Sequence, residues 1–210
     1  MADILDYKKV YKELYFPKTV PMTIKVPEIT FAAVDGKGDP NEEEGEYKRA
    51  IELLYSIQYT IKMSKKKQSV PEGYFDYVVP PLEGFWTVED KKDIRNKSKF
   101  IWTAAIRLPE FVDKKVFDWA CREVTNNKKI NTDRAKYMKT EEGLCVQCMH
   151  IGPFDEEPKT IAIMEKYMDE NNLMNDIGEN RHHHEIYLSD FRKVAKEKLR
   201  TIVRIPVREK

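Results

Sequence analysis

The residues best suited to chemistry in this sequence lie in the run HHHEIYLSD at positions 182–190, a pattern typical of a β-strand. Because side chains alternate along a strand, His183, Glu185 and Tyr187 are expected on one face, with Ile186 on the other. Ile186 suits a face that packs on a core. Glu185 then lies where a charge needs water, a partner or a ligand. The pattern fits a functional glutamate, and it equally fits a strand with one solvent-exposed polar face.

Two further motifs invite a metal interpretation. Residues 182–184 are all histidine. Two histidines two residues apart on a strand share a face and can bind one metal ion. No third ligand follows at a recognisable spacing, so we predict no metal and no other cofactor. Cys145 and Cys148 form a CxxC motif in a strand-like segment, where positions three apart point to opposite faces. No second cysteine pair completes a zinc site, and the odd cysteine count fits a reducing cytoplasm.

The tryptophans suggest how a ligand could be held. Trp86 ends an irregular stretch rich in proline and glycine, and Trp102 alternates with Phe100 and Ala104 on one face of a predicted strand. Flat indole rings that line a cleft stack on planar ligands, which contributes about 1 kcal/mol per contact beyond area burial. Ordinary core packing explains the same pattern, so both interpretations stay open.

Composition excludes several classes of protein. The 37 basic and 36 acidic residues give a formal net charge of +1, which argues against a protein that binds nucleic acid directly. No run reaches the roughly 18 apolar residues of a membrane span, and the first residues lack the pattern of a secretory signal peptide. GxSxG and glycine-rich phosphate-loop motifs are absent from the sequence. We therefore expect a soluble, cytoplasmic protein without a membrane partner.

The elements that would position these residues recur twice along the chain. Each half has the order strand, helix, strand, strand. In the first half we predict strands at 28–34, 75–79 and 100–108 and a helix at 47–61; in the second half, strands at 144–151, 183–188 and 201–207 and a helix at 159–171. A further helix is predicted after Pro109, with Trp119 in the core, and residues 125–140 are predicted to form a polar loop. Glycine ends the first strand of each half, at Gly36 and Gly152, which supports a duplication.

The predicted fold class is α+β. Two βαββ modules, at about 22–109 and 142–208, would lie in a pseudo-two-fold arrangement after a leader segment at 1–21. Their antiparallel sheets would carry the helices on one side and enclose a central concave pocket between the modules, since small-molecule sites favour such interfaces.

Four segments together resemble one family. They are residues 80–86 (PPLEGFW), 149–158 (MHIGPFDEEP), 182–190 (HHHEIYLSD) and 198–207 (KLRTIVRIPV). These segments are similar to the signature of GyrI-like small-molecule-binding proteins, and the resemblance spans roughly residues 22–208. That family has a duplicated βαββ (SHS2) module, in agreement with the repeat described above.

The resemblance implies a function. In related effector domains of multidrug-responsive regulators, a strand-borne glutamate lies in an aromatic pocket, and Glu185 matches that position. A stand-alone branch of the family is implied to hydrolyse cyclopropanoid DNA-alkylating compounds by adding water to the cyclopropane, which gives toxin resistance. The sequence shows no DNA-reading helix-turn-helix pattern, so the stand-alone branch fits best. The alternatives are a non-catalytic protein that binds or sequesters drugs, and a regulator that binds a protein partner.

The resemblance also implies roles for individual residues. Glu185 would act as general base on a water molecule, and Tyr187 or His183 would stabilise the phenolate that forms. Glu157 is a second catalytic candidate, although a carboxylate placed at a helix N-terminus for its dipole explains it equally well. The role of His150 stays open. The partner would be a planar aromatic small molecule, contacted by Trp86, Trp102, Tyr137, Phe154 and His183.

Overall fold

The computed structural model describes residues 4–66, 70–93, 96–191 and 193–210. Its helices are Tyr7–Val10 (α1), Lys12–Tyr15 (α2), Glu46–Lys62 (α3), Lys114–Lys128 (α4) and Glu157–Glu170 (α5). Its strands are Met22–Lys37 (β1), Leu82–Val88 (β2), Phe100–Arg107 (β3), Ala135–Ile151 (β4), Leu173–Asn175 (β5), His183–Tyr187 (β6) and Arg200–Glu209 (β7). The predicted α+β class, with antiparallel strand pairing, is confirmed.

The chain forms two compact units that are interleaved along the sequence. Unit 1 consists of residues 1–7, 29–80 and 87–140, and unit 2 of residues 8–28, 81–86 and 141–210. The predicted modules at 22–109 and 142–208 instead follow one another along the chain. The two-module arrangement, its boundaries, the leader at 1–21 and the central concave pocket therefore stay predictions.

Unit 1 is built on the pairing of β1 with β3, in which Phe31 lies opposite Arg107. Helix α3 packs against α4 and β3, because its apolar side chains recur at helical spacing on one face. Gln58 on that face donates a hydrogen bond of 2.9 Å to the backbone oxygen of Arg107. Helix α4 begins after Asp113, whose carboxylate accepts a hydrogen bond from the backbone N–H of Val116 at 2.8 Å.

Unit 2 is built around β7, which pairs with β4, β5 and β6, while β6 also pairs with β2. Its core lies between α5 and these strands. The buried apolar residues of that core are Val146, Cys148, Met164, Met168, Leu173, Val203, Ile205 and Val207. Burial of this set holds α5 against the sheet and so fixes where the first turn of the helix lies.

The strand predicted at 75–79 is wrong. Tyr77 makes only an isolated parallel bridge with Leu5. Phe75 and Tyr77 pack on Phe111, with ring centroids 5.1 and 6.1 Å away. The alternating apolar pattern therefore reflects a local aromatic cluster. The second strand of this half is β2, which carries Trp86. The proline and glycine residues around it predict an irregular segment, and that prediction is wrong for β2.

The polar loop predicted at 125–140 is also wrong. Helix α4 continues to Lys128 and β4 already begins at Ala135, so Tyr137 lies in a strand. Side chains in this part of β4 are largely exposed or half-buried, which explains why a polar sequence forms a strand there. Trp119, predicted in the core, is only half-buried. Among the described residues, no helix is both long enough and apolar enough to cross a membrane.

Candidate active site

Strand β6 presents two different faces. His184 and Ile186 are fully buried, whereas His183, Glu185 and Tyr187 are half-buried. This alternation is the one expected from the sequence. In the pairing of β6 with β2, Gly84 lies opposite Glu185. The neighbour of Glu185 on the adjacent strand therefore has no side chain.

A second carboxyl group meets Glu185 on that face. Glu157, the first residue of α5, is only 8% exposed and forms a side-chain hydrogen bond with Glu185. Burial raises the pKa of Glu157 well above its usual value, and the negative charge and hydrogen bond of Glu185 raise this pKa further. A hydrogen bond between two carboxyl groups requires a proton, and the raised pKa of Glu157 favours the protonated form of that residue. The helix N-terminus alone would have favoured the charged form of Glu157, and burial outweighs it.

His183 completes a three-residue cluster. Its Nε2 lies 3.4 Å from Oε1 of Glu185. One ligand atom from each of Glu157, His183 and Glu185 lies within 4.8 Å of the others. Such a cluster can move a proton or hold a metal ion. Glu157 was singled out only through the family motif, since no sequence spacing relates a helix start to a strand 26 residues later.

An aromatic group adjoins the cluster on the same elements. The indole Nε1 of Trp86 donates a hydrogen bond of 3.0 Å to the Tyr187 hydroxyl oxygen. The ring of Phe154 meets the Tyr187 ring edge-on, with centroids 5.8 Å apart and planes at 89°. Trp86, Phe154 and Tyr187, all predicted site residues, are thus brought together.

Gly84 makes the contact between Trp86 and Tyr187 possible. A β-carbon at position 84 would lie 2.6 Å from Nε1 of Trp86 and 2.9 Å from the Tyr187 hydroxyl oxygen. Both distances are shorter than carbon contacts tolerate, so any other residue would displace the pair. Sequence reasoning treated this glycine as part of an irregular segment and missed its role.

His150 positions the turn that leads into Glu157. Its Nε2 lies 3.0 Å from the backbone oxygen of Pro153, and its Nδ1 lies 2.9 Å from the Thr160 hydroxyl. A carbonyl oxygen only accepts, so Nε2 donates the hydrogen bond to Pro153. These bonds tie the end of β4 to the first turn of α5, and they assign His150 a positioning role.

The opposite face of β6 holds a buried ionic network. His184 Nε2 lies 2.9 Å from Glu83, and His184 Nδ1 lies 3.0 Å from Glu142. Arg204 contacts the same Glu142 carboxylate at 3.1 Å. Burial would raise the pKa of Glu142, but the charges of His184 and Arg204 outweigh it and lower this pKa to about 2. Burial would lower the pKa of His184, yet Glu142 and Glu83 outweigh burial and raise this pKa, which favours the imidazolium form of the ring.

The ionic network also fixes the start of unit 2. Arg204 donates to the backbone oxygen of Leu14 at 2.9 Å, and the Tyr15 hydroxyl donates to Glu83 at 3.2 Å. Gln147 donates to the backbone oxygen of Glu13 at 2.7 Å. Leu14 and Tyr15 are buried. Helix α2 is therefore bonded to the side chains that lie behind β6.

The profile of the GyrI-like small molecule binding domain matches residues 20–208. The chain belongs to the GyrI-like family. Among solved structures, a hydrolase from Listeria innocua is 47% identical to this chain with a TM-score of 0.90, and the alignment covers 97% of this chain and 100% of that one. An uncharacterized conserved protein from Listeria innocua is 49% identical with a TM-score of 0.92, over 97% and 100% of the two chains.

A more distant structure shares the fold alone. The EcmrR C-terminal domain is 13% identical with a TM-score of 0.53, over 90% of this chain and 98% of that one. Among curated proteins, none matches the chain.

Two predicted ligand contacts of this GyrI-like chain lie in unit 1. The Trp102 side chain is 1% exposed and meets the Tyr47 ring edge-on at 4.9 Å. A β-carbon on Gly36 would lie 2.2 Å from its indole, so glycine there admits the ring. Tyr137 donates to the backbone oxygen of Val112 at 3.2 Å. Both side chains contact other parts of the protein, and their role in ligand binding stays a prediction.

Proposed function

We propose that this GyrI-like protein binds a planar aromatic small molecule and hydrolyses it, opening the cyclopropane ring of cyclopropanoid DNA-alkylating compounds. The observation that carries the proposal is the hydrogen-bonded, largely buried carboxyl pair Glu157 and Glu185 beside the aromatic group of Trp86, Phe154 and Tyr187. The 47% identical hydrolase from Listeria innocua supports a hydrolytic reaction in general. The resemblance described under Sequence analysis supports the substrate class.

In the proposed reaction Glu185 accepts a proton from water as the water oxygen bonds to the cyclopropane methylene carbon. The carbon–carbon bond of the ring that breaks delivers its electron pair through the dienone to the carbonyl oxygen. That oxygen becomes a phenolate and takes a proton from Tyr187 or His183, and the proton on Glu185 then returns to that residue through solvent. The sum is the addition of one water molecule, and ring strain supplies much of the driving force.

The neighbours of Glu185 and Tyr187 support these roles. The raised pKa of Glu157 favours a proton on that residue, and the hydrogen bond between the two carboxyl groups holds Glu185 in place. The Trp86 N–H donates to the oxygen of Tyr187. This bond stabilises negative charge on Tyr187 when that residue gives up its proton. The aromatic rings would stack on the planar substrate and hold its methylene in line.

The test is turnover of a cyclopropanoid compound at a small molar fraction of protein, followed by mass spectrometry. We expect a product heavier by one water molecule, in amounts that exceed the protein many-fold. Stoichiometric protection of the compound without product would instead establish the non-catalytic drug-binding alternative. A compound that is neither altered nor bound would overturn both.

A further inference from the structure

We propose that Glu157, His183 and Glu185 bind one divalent transition-metal ion such as Zn²⁺, and that the bound ion blocks hydrolysis. Metal binding stands independently of the substrate. The inhibition rests on the proposed function, because it requires that Glu185 serve as the base.

The spacing of the ligand atoms suits a small cation. Zinc binds imidazole nitrogen and carboxylate oxygen at about 2.0–2.2 Å, which places tetrahedral ligand atoms roughly 3.3–3.6 Å apart. His183 Nε2 and Glu185 Oε1 are already 3.4 Å apart. The full set, including a Glu157 oxygen, lies within 4.8 Å, so small side-chain rotations close the site.

Glu157 offers a buried atom that needs a partner. It is 8% exposed, and within the part of the chain that the structure describes its Oε1 has no hydrogen-bond partner. A buried carboxylate oxygen without a donor costs free energy that a cation would return. Among the described residues no lysine or arginine pairs with Glu157 or Glu185, and His183 is the one basic group beside them.

The ligand set and its supports match a site with an open position. Zinc sites that carry out chemistry use three protein ligands and leave the fourth position to water. One imidazole and two carboxylates also suit manganese and iron, with affinity rising toward copper and zinc. Two of the ligands come from one face of β6 and the third from the first turn of α5, so rigid elements hold all three.

Occupancy by a metal and hydrolysis exclude each other. An ion bound by Glu185 withdraws electron density from its carboxylate and so lowers its basicity toward the attacking water. Zn²⁺ is therefore expected to lower the turnover number as it fills the site.

The test uses chelator-treated full-length protein, equilibrium dialysis against Zn²⁺ with elemental analysis, and visible absorption spectra with Co²⁺ as the probe. We expect one ion per chain and the intense Co²⁺ bands of a four-coordinate site. Loss of a residue that merely supports a ligand costs about 10–100-fold in affinity. His183→Ala and Glu157→Gln should each cost at least that much. His182→Ala, from the same histidine run but outside the cluster, is the matched control and should bind as the wild type does.

Two outcomes would overturn the site: no retained ion, or equal retention by wild type, His183→Ala and Glu157→Gln in variants that circular dichroism shows to be folded. Turnover is measured separately, so the two proposals fail separately. Hydrolysis by metal-free protein supports the proposed function whether or not an ion binds. A bound ion that leaves turnover unchanged would refute the inhibition while the site itself stands.

Discussion

The two faces of strand β6 bury ionisable groups in opposite ways. On one face His184 and Arg204 lie against two carboxylates, so that two positive charges meet two negative ones. On the other face Glu157 lies against Glu185, and two groups of the same sign meet. Glu142 and Glu157 are the same residue type in the same unit, and burial raises the pKa of each. Neighbouring charges decide the outcome, low for Glu142 and high for Glu157.

This difference separates buried carboxyl groups that only stabilise the fold from those that can take part in a reaction. A buried carboxylate whose negative charge is balanced by neighbouring cations is inert, since it is deprotonated and its oxygens already accept hydrogen bonds. A buried carboxyl group without a compensating positive charge holds its proton more tightly than a solvated one does, and that proton can be exchanged. Perturbed groups of the second kind mark functional sites more often than those of the first. The following predictions test whether the two faces of β6 follow this division.

Removing the base should give the largest effect. Glu185→Gln keeps the shape of the side chain and abolishes its basicity, so we expect turnover of a cyclopropanoid compound to fall by about 10²–10⁴-fold. Ligand binding, followed by tryptophan fluorescence, should survive. Glu156→Gln is the matched control, because Glu156 is exposed and pairs with Lys159 at 2.8 Å. Undiminished hydrolysis in Glu185→Gln would remove the base assignment.

Breaking the compensated network should instead cost stability. Arg204→Met leaves Glu142 buried beside a single positive charge, and we expect the free energy of unfolding in urea to drop by about 3–5 kcal/mol. Arg200→Met, on an exposed side chain of the same strand, should change it little. The double variant Arg204→Met/Glu142→Gln should recover part of the loss. A single variant as stable as the wild type would mean that the network is not structural.

The two carboxyl groups should shift stability with pH in opposite directions. The folded pKa of Glu142 is about 2, below its usual 4.5, so its contribution is present above about pH 4.5 and is lost as pH falls toward 2. The folded pKa of Glu157 is raised, so it lowers stability as pH rises above its usual 4.5 through the raised value.

Glu157→Gln and Glu142→Gln should therefore differ in sign at neutral pH. We expect Glu157→Gln to be more stable than the wild type at pH 7 and equal to it near pH 4, in metal-free buffer. Glu142→Gln should be less stable at pH 7, with the deficit shrinking toward pH 2. Urea unfolding across this range measures both. A Glu157→Gln variant that is less stable at pH 7 would show that its burial is compensated after all.

Crowding the reactive face should have the smallest effect. Gly84→Ala places a carbon where Trp86 and Tyr187 meet, and we expect displacement of that pair, about 1–3 kcal/mol of lost stability and a modest loss of turnover. Gly178→Ala is the control, since a β-carbon there meets nothing within 4 Å. Equal behaviour of the two variants would show that the space at Gly84 is not used.

Sequence reasoning reached the reactive face and missed the compensated one. Alternation along β6 placed Glu185 correctly because strand faces have a period of two. Sequence reasoning did not predict the partners of His184. Glu83 and Glu142 lie on other strands, and no local periodicity encodes such contacts. Sequence reasoning also did not predict that Gly84 pairs with Glu185, because the proline and glycine residues near β2 indicated an irregular segment instead of a strand. Local patterns predict faces, whereas compensation of charge is a property of the tertiary structure.

The bond from Arg204 to the Leu14 backbone oxygen joins residues that are 190 positions apart. A ribosome adds about 5–20 residues per second, so roughly 10–40 s separate the synthesis of the two partners. Throughout that interval the Leu14 backbone oxygen lacks its guanidinium donor, and Glu142 lacks the same group from its own synthesis onward. A chain interrupted before residue 204 leaves the Leu14 oxygen without this donor and Glu142 with His184 as its remaining cationic partner in the network, and such a chain is expected to be degraded. The reactive face of β6 is therefore assembled only in chains whose synthesis has passed β7.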